Sequence, residues 1–473
     1  MPRVRLLVAA AGLWLSAAAP VWAQAKDGFV RALIDLSQAV GKGDSAAVRA
    51  SIDAMANGLA EWDAAVARVE AGFKGAIGSA ARPEAARMRA TIAATYLERG
   101  RVAEALTHLD RAVALEPSFM PAHLLRGFGR VKLNQGTAAA AAFAAARRLE
   151  PAAPLPAYQY LRATRSASSA PDRAVAIDLL LKTAIGAPPT PTDLAGLPLN
   201  LLDDASVDAP LFVPAAYVPG FRLLADAKYP EALAALRAAS AAPFDAGELA
   251  SISKADALVA SGDRAAALVL LRDTARRVPL SGQAQWRLGR LSEDAGDQVA
   301  ALRAYEAAAR AAPVAGASIV YAAVGRLHHT ALDLEAAARA YERRVTLTPR
   351  SAPAHLDLAS IYQAQDRLDD ALVESLAAVL VDPSSAAAFA SAGQLRGDRG
   401  DDAGAIALLR SAVRLDANLG AARYALGRAL LRTGRAEEAR QEMAAFERIQ
   451  QAEMAAQRRQ FEENARKLEG AGK

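Results

Sequence analysis

The residue types that carry out chemistry are few in this chain, and their spacing does not bring them together. There are five histidines and no cysteine among the 473 residues. His328 and His329 are neighbours, so on a helix their side chains point about 100° apart and do not share one metal ion. The sequence has no metalloprotease motif, no nucleophile elbow and no phosphate-binding loop. We therefore predict no catalytic residue, no bound metal and no cofactor.

Pairs of adjacent carboxylates are the next candidates for acid–base chemistry. Asp203–Asp204, Asp369–Asp370 and Asp401–Asp402 are predicted to lie in loops or at helix starts. Because acidic side chains interact favourably with the positive end of the helix dipole, we interpret them as helix caps. His123 and His355 stand at the same distance before Pro151 and Pro383, respectively, and we interpret them as packing side chains.

Arginines accompanied by aromatic residues form a candidate binding pattern. Trp286 precedes Arg290 by four residues, and Tyr424 precedes Arg428 by four, which is about one helical turn. Arg326 lies between these two pairs in the sequence. The planar guanidinium of arginine donates two parallel hydrogen bonds to a carboxylate, and Trp and Arg are frequent anchors of protein interfaces. What these residues can do depends on the elements that carry them.

Those elements are revealed by prolines that recur at a nearly constant interval. Pro117 and Pro151 are one interval apart. Four further prolines later in the chain repeat the interval three times. They are Pro279, Pro313, Pro349 and Pro383. The common step is about 34 residues, a period that is typical of stacked helical hairpins.

Other positions recur in phase with these prolines. Twelve residues before the proline position stands alanine, at Ala105, Ala139, Ala267, Ala301, Ala337 and Ala371, and by extension Ala405 and Ala439. Twenty-four residues before it stands Gly or Ala, at Ala93, Gly127, Ala255, Gly289, Gly325, Ala359, Gly393 and Gly427. Small residues let the two helices of a hairpin approach closely. A larger residue eight positions before the proline is expected to fill the space against the neighbouring hairpin.

The turn between the two helices is marked by glycine. It stands five residues before the alanine position, at Gly100, Gly262, Gly296, Gly400 and Gly434. A glycine at this point ends the first helix and lets the chain reverse.

Together these positions resemble the tetratricopeptide repeat, and the resemblance covers most of residues 83–446. It implies an all-α fold, a right-handed superhelical solenoid of antiparallel helix pairs. In this family the first helix of each pair lines a concave groove. Such an array offers a long binding surface and has no intrinsic catalytic centre, so we predict that the chain is not an enzyme.

The resemblance also implies where the arginines lie. One groove-lining position is twenty-three residues before the proline position, and it holds Ala94, Phe128, Asp256, Arg290, Arg326, Ser360, Gln394 and Arg428. Arg290, Arg326 and Arg428, with Trp286 and Tyr424, are therefore the predicted partner-binding residues. The alternative is a solvated groove whose charges pair with Glu293 and Asp294. The lysines and asparagines with which the family grips a terminal carboxylate are not reproduced, so a peptide C-terminus is not the predicted ligand.

The N-terminus has the features of an export signal. Arg3 and Arg5 precede an apolar run over residues 6–19. The small residue Ala23 follows at the expected cleavage site. This pattern predicts a signal peptide over residues 1–23. The run is shorter than the roughly 20 residues that span a membrane. We predict a bacterial periplasmic protein with no membrane span after cleavage; the alternative is an inner-membrane anchor formed by the uncleaved segment.

The remaining boundaries follow from the repeats and from the prolines that interrupt them. We expect an N-terminal helical cap at 24–82, repeats at 83–188, a Pro-rich insert at 189–220, repeats at 221–446 and a polar C-terminal capping helix at 447–473. Seven prolines between Gly186 and Gly220 exclude a helix there. The insert is expected to pack back on the solenoid, with a lid as the alternative.

The last helix has an alternative interpretation. Met454, Phe461 and Leu468 are seven residues apart, a spacing that could form a seam for pairing with a second helix.

The overall charge argues against nucleic acid as a partner. The net charge is +5, and a basic face interleaved with aromatic residues is missing. We predict a non-catalytic protein-interaction scaffold of the bacterial cell envelope, which binds another protein or an extended segment in its groove. The alternatives are a ligand-binding or enzymatic protein, with a pocket formed by the insert at 189–220 over the groove, and a structural spacer. The pattern sets no oligomeric state.

Overall fold

The computed structural model describes residues 19–42, 44–72, 82–165, 171–185, 215–241, 246–311 and 314–471. Within these ranges the chain forms 22 α-helices, one 3-10 turn at Ala215–Tyr217, and no strand. In chain order the helices are α1 (Ala19–Lys42), α2 (Ser45–Gly72), α3 (Arg82–Glu98), α4 (Val102–Leu115), α5 (Met120–Lys132), α6 (Gly136–Leu149), α7 (Pro154–Ala163), α8 (Pro171–Ile185), α9 (Val218–Ala225), α10 (Tyr229–Ala241), α11 (Ala246–Ala260), α12 (Arg264–Arg277), α13 (Gly282–Asp294), α14 (Gln298–Ala311), α15 (Val314–Thr330), α16 (Leu334–Leu347), α17 (Ala352–Ala364), α18 (Leu368–Val381), α19 (Ala386–Asp398), α20 (Asp402–Leu415), α21 (Gly420–Arg432) and α22 (Ala436–Ala471).

These helices belong to two compact units. Unit 1 comprises Met1–Ala170 and Ala195–Pro349, and unit 2 comprises Pro171–Leu194 and Arg350–Lys473. Successive helices pack as hairpins: α1/α2, α3/α4, α5/α6, α9/α10, α11/α12, α13/α14 and α15/α16 in unit 1, and α17/α18, α19/α20 and α21/α22 in unit 2. The predicted all-α array of helix pairs is confirmed.

The recurrent small residues lie where the two helices of a hairpin touch. All eight alanines of the recurrent position have 0% exposed surface. A Cβ atom added to Gly289 would lie 2.6 Å from the ring of Tyr305, and one added to Gly393 would lie 2.6 Å from Leu409. The larger residue therefore fills the space over the small residue of its own hairpin. It also packs against the neighbouring hairpin, as expected: Tyr305 shares a core with Val320 and Leu327 of α15, and Leu409 shares one with Leu426 of α21.

The turns between paired helices adopt the left-handed backbone conformation. The five predicted glycines, Gly100, Gly262, Gly296, Gly400 and Gly434, have φ values of 71°, 89°, 78°, 84° and 76°. Leu332 occupies the same position with φ 61° and is 82% exposed. This conformation costs a non-glycine residue about 1–2 kcal/mol. Packing of the two helices that flank the turn must offset this cost at Leu332.

Side-chain caps fix where many helices begin. Asp263, Asp333 and Asp401 each accept a backbone N–H bond at the start of a second helix. The same bond is accepted at the start of first helices by Ser281, Ser351 and Ser385. Each cap satisfies an N–H group that has no partner within its helix. The cap interpretation of Asp401 is thus confirmed.

The N-terminal hairpin α1/α2 is not a terminal element of unit 1. Its buried Phe29 and Leu36 share one core with Phe221 and Leu236 of α9/α10. The rings of Phe29 and Tyr229 meet edge-on at 5.0 Å. Residues 215–241 therefore pack on the predicted cap at 24–82. The spacing of residues in the sequence did not predict this contact.

The predicted Pro-rich insert is described only in its last residues. Residues 189–214 lie outside the described part of the chain, as do Asp203–Asp204 and the alternatives that rest on this insert. The segment from Ala215 onward enters the shared core, where Tyr217 and Val218 are 2% and 1% exposed.

The C-terminal helix is continuous. α22 runs from Ala436 to Ala471, so residue 447 is not a helix start, because no glycine, proline or cap interrupts the sequence there. Residues 451–462 are exposed throughout, including Met454 and Phe461. The side chain of Leu468 lies outside the described ones. In the described ranges, none of the helices combines the length and the apolar character needed to cross a bilayer.

Candidate partner-binding face

The position predicted to line a groove is exposed on every first helix from α11 to α21. Its six residues are Asp256, Arg290, Arg326, Ser360, Gln394 and Arg428, and we call them the first-helix face. The residue immediately before each of them is buried in its hairpin. Because consecutive helical residues point about 100° apart, burial of one position turns the next toward solvent. In α5 the corresponding Phe128 is buried, so this exposure is not shared by every repeat.

In unit 1 the first-helix face carries a cluster built around Glu293. Glu293 forms an ion pair with Arg326, whose Nη2 donates to Oε2 at 2.9 Å. The Tyr305 hydroxyl donates to the same Oε2 at 2.9 Å. Trp286 is half-buried, and its ring packs at a tilt against the ring of Tyr305, with centroids 5.0 Å apart. Tyr305 therefore makes two contacts in this cluster. Its ring packs against Trp286, and its hydroxyl group holds the Glu293 carboxylate beside Arg326.

The cluster changes the ionisation of its members. The hydrogen bond from Arg326 lowers the pKa of Glu293, and Tyr305 and the charge of Arg290 lower it further. Burial raises the pKa of Tyr305, and its hydrogen bond to Glu293 adds to this effect. Glu293 is thus charged and Tyr305 neutral at ordinary pH, which is the combination that the observed hydrogen bonds require.

Arg290 and Arg326 differ in their availability. Arg326 is committed to Glu293, which matches the alternative of a self-paired groove at this one residue. Arg290 is exposed and feels the charge of Glu293, but it makes no hydrogen bond with any described residue. Nearby, Arg287 is committed to Asp256, which it binds through two bonds of 2.7 and 2.9 Å. The free donor of this cluster is therefore Arg290.

In unit 2 the first-helix face repeats the aromatic–arginine arrangement. Tyr424 is 44% exposed and stacks on Phe446, with ring centroids 5.3 Å apart. The Arg428 guanidinium lies 5.9 Å from the Tyr424 ring centroid and makes no hydrogen bond within the described chain. Arg432, by contrast, is bonded to Asp402 and lowers the pKa of that carboxyl group.

A shallow depression adjoins Arg428. It is lined by Gln394, Asp398, Arg428 and Arg432 over a floor of Gly and Ala residues, and its volume is about 10 Å³. That is room for about one water molecule, whereas pockets for small molecules occupy roughly 300–1,000 Å³. The depression suits a side chain laid across the surface better than an enclosed metabolite.

The remaining candidates for chemistry have structural roles. His123 Nε2 lies 2.9 Å from the Pro117 carbonyl oxygen, and His355 Nδ1 lies 2.7 Å from Glu374 Oε2 in a fully buried pair. Across the described ranges, His, Cys, Asp and Glu side chains do not gather in groups of three that could hold a metal ion.

One cap interpretation was wrong. Asp370 does not cap α18; its carboxylate is 10% exposed and is bonded to Arg173 at 2.9 Å and to Arg367 at 2.7 Å. Its neighbour Asp369 pairs instead with Arg399 at the surface. Because Asp370 is buried, a cationic partner rather than the helix dipole is needed to compensate its charge.

Comparison with known proteins agrees with this architecture. The tetratricopeptide repeat family model matches residues 252–315 and 390–453. No curated protein matches the chain.

Three solved structures are similar to this chain over about a third of its length. A crystal structure of MamA is 20% identical, covers 36% of this chain and 97% of its own, and has a TM-score of 0.33. YrrB, described as a tetratricopeptide repeat protein with an unusual peptide-binding site, is 19% identical over 36% of this chain and 88% of its own, with a TM-score of 0.32. PilF of Pseudomonas aeruginosa is 19% identical over 35% of this chain and 75% of its own, with a TM-score of 0.32. These values do not extend the likeness to function.

Tetratricopeptide repeat proteins typically mediate protein–protein interactions and are in general non-catalytic. The family match falls on the hairpins whose small residues, turns and caps are described above. The chain thus contains tetratricopeptide repeats at residues 252–315 and 390–453.

Proposed function

We propose that this chain is a non-catalytic scaffold that binds extended segments of another protein along the first-helix face, in unit 1 and in unit 2 separately. The observation that carries the proposal is the exposure of all six residues of that face, with two arginines, Arg290 and Arg428, that make no hydrogen bond to the described chain. Free, exposed guanidinium groups beside fixed aromatic rings resemble the anchors of protein interfaces.

The side chains on this face indicate the chemistry of the segment. Trp286 and Tyr424 each offer an aromatic surface held by a second ring, four residues before a free arginine. A segment that places an apolar side chain on the ring and a carboxylate on the arginine would use both groups. Such a segment would lie across the shallow depression beside Arg428, which has room for about one water molecule.

The cellular location belongs to the same proposal. The basic and apolar residues at the N-terminus support export, and we propose that the scaffold acts in the bacterial cell envelope, in the periplasm. Residues 1–18 lie outside the described chain, and the predicted cleavage point after Ala23 falls within α1.

The combined substitution Arg290→Ala and Arg428→Ala tests the binding face. We expect it to weaken capture of the partner by about 2 kcal/mol, roughly thirtyfold in Kd, because two interface anchors are lost. The melting temperature should not change, since neither arginine bonds to the described chain. Arg326 is left intact because its removal would also release Glu293. The measurement is quantitative affinity capture from a periplasmic extract, followed by titration with the purified partner.

The matched control removes two exposed arginines from second helices, Arg303→Ala and Arg339→Ala. The net charge changes equally in both variants, so a general electrostatic effect would weaken both. Equal loss in the two variants, or no loss in the first, would contradict the proposed face.

A further inference from the structure

The helix α18 differs from the second helices α12, α14, α16 and α20 on the side that points away from its hairpin. Leu376 is 0% exposed, yet the corresponding residues of α12, α14, α16 and α20 are all charged. They are Arg272, Glu306, Glu342 and Arg410. Leu380 is 1% exposed, and its counterparts are Arg276, Arg310, Thr346 and Arg414. We call Val373, Leu376, Ala377 and Leu380 the outer stripe, because their spacing of three and four residues places them on one face of α18.

A helix from a distant part of the sequence covers this side of α18. Within unit 2, α8 packs against α18, and this is the only extensive helix contact that α8 makes in the described chain. The buried residues of α8 recur every three or four positions, at Arg173, Ala176, Ile177, Leu180, Leu181 and Ala184. Asp172, Val175, Asp178 and Lys182 on its other side are exposed. Two apolar stripes of matching period thus face each other.

An ion pair sets the register of the two helices. Arg173 Nη2 lies 2.9 Å from Asp370 Oδ1, and the two side chains are 6% and 10% exposed. Arg173 stands about one turn before the apolar residues of α8, and Asp370 about one turn before the outer stripe. The second carboxylate oxygen of Asp370 accepts a 2.7 Å bond from Arg367. Asp370 therefore recognises an arginine at one defined place on the covering helix.

We propose that the outer stripe and Asp370 form a second, helix-binding surface, which α8 occupies within the same chain. The partner that fits this surface is an amphipathic helix with an arginine in its first turn and apolar residues three, four, seven and eight positions later. Such a helix makes the contacts that α8 makes and displaces it. Because α18 is the one helix of the described ranges that α8 packs against extensively, α8 is the kind of element that opens locally without unfolding the repeats. This surface is separate from the first-helix face.

The absence of cysteine from the chain allows a direct test of displacement. Ala176 is 0% exposed in α8, so a thiol in the full-length variant Ala176→Cys reacts with a thiol reagent only when α8 opens. The probe is a synthetic peptide with the sequence of residues 171–185. We expect a large molar excess of this peptide to raise the labelling rate by about tenfold, because it occupies the vacated surface and keeps α8 open.

A matched variant and a matched peptide control the test. Ala412→Cys places a thiol at another alanine with 0% exposure, in α20, and its labelling rate should not respond to the peptide. A peptide carrying Arg173→Ala should accelerate labelling at position 176 far less, because it lacks the group that pairs with Asp370. An unchanged labelling rate of Ala176→Cys in excess peptide would overturn the proposal.

A second measurement does not depend on the introduced thiol. Fluorescence anisotropy of the labelled peptide is followed with the unmutated chain and with the full-length variant Leu180→Asp, which weakens docking of α8. Binding is expected in both, at a peptide affinity lower by about a hundredfold or more for the unmutated chain because α8 competes. If neither protein binds the peptide, the outer stripe is only a structural contact. Equal binding of the Arg173→Ala peptide would overturn the role of Asp370.

Discussion

The substitution Gly127→Leu is expected to destabilise the α5/α6 hairpin by about 3 kcal/mol, the upper range for overpacked cores. Phe143 is fully buried against Gly127, and a Cβ atom at Gly127 would fall among its ring atoms. The ring has no free space to move into, so the two helices must separate. The free energy of unfolding, from urea titration followed by far-ultraviolet circular dichroism, measures the loss.

The same hairpin offers a matched control at Gly136. A Cβ atom added there meets nothing within 4 Å, and Gly136 begins α6 without a left-handed backbone. Gly136→Leu should therefore change the free energy of unfolding by no more than about 0.5 kcal/mol. Adding Phe143→Ala to Gly127→Leu should recover part of the loss, since the ring is what the new side chain displaces. Equal destabilisation by the two glycine substitutions would show that the proposed contact between paired helices is wrong.

The second large effect is expected at the buried ion pair of unit 2. Asp370→Ala should lower the free energy of unfolding of this unit by about 3–5 kcal/mol, because the guanidinium of Arg173 is left buried without its carboxylate. Amide hydrogen exchange of α8 and α18 locates the loss, and urea titration gives its size.

The adjacent residue supplies the comparison. Asp369 pairs with Arg399, and the two side chains are 49% and 33% exposed. Asp369→Ala should cost no more than about 1 kcal/mol, as is usual for exposed pairs. The double variant Arg173→Met and Asp370→Leu should be close to the unmutated chain in stability, because both charges are removed together. If Asp369→Ala and Asp370→Ala destabilise equally, burial is not what makes the Arg173 pair strong.

Sequence period alone was sufficient to predict the repeated hairpins. Gly289, Ala301 and Gly296 stand at fixed distances from one another, and each distance reports a local constraint: a close helix contact, a buried crossing and a left-handed turn. What period could not show is that Tyr305, besides packing on the next hairpin, also packs on a residue of its own. That depends on which residue lies opposite it in three dimensions, and this proved to be Gly289 of the same hairpin.

Contacts between distant segments were beyond the reach of local patterns. Arg173 and Asp370 are 197 residues apart, and a carboxylate at a helix start looks like a cap until its partner is known. A signal was nevertheless present at Leu376 and Leu380, where the corresponding residues of α12, α14, α16 and α20 are polar or charged. An apolar residue at a normally charged position predicts that something covers it, although it does not say which segment.

The candidate site was partly predictable for the same reason. The repeat position that Arg290 and Arg428 share follows from the period, and both residues are exposed in the structure. The pairing of Arg326 with Glu293 depends on the approach of α13 and α15, and the sequence left it open as an alternative. The structure thus distinguishes Arg290 and Arg428 from Arg326, which is paired with Glu293. The residue type alone does not show this difference.

Site-specific photo-crosslinking tests most directly whether the first-helix face binds the partner. A photoreactive residue is placed at Ser360 or Gln394, which are exposed on first helices, or at Arg303 or Arg339, which are exposed on second helices. The account predicts crosslinks to the captured partner from positions 360 and 394 and none from positions 303 and 339. Crosslinks from the second-helix positions alone, or equally from all four, would contradict it.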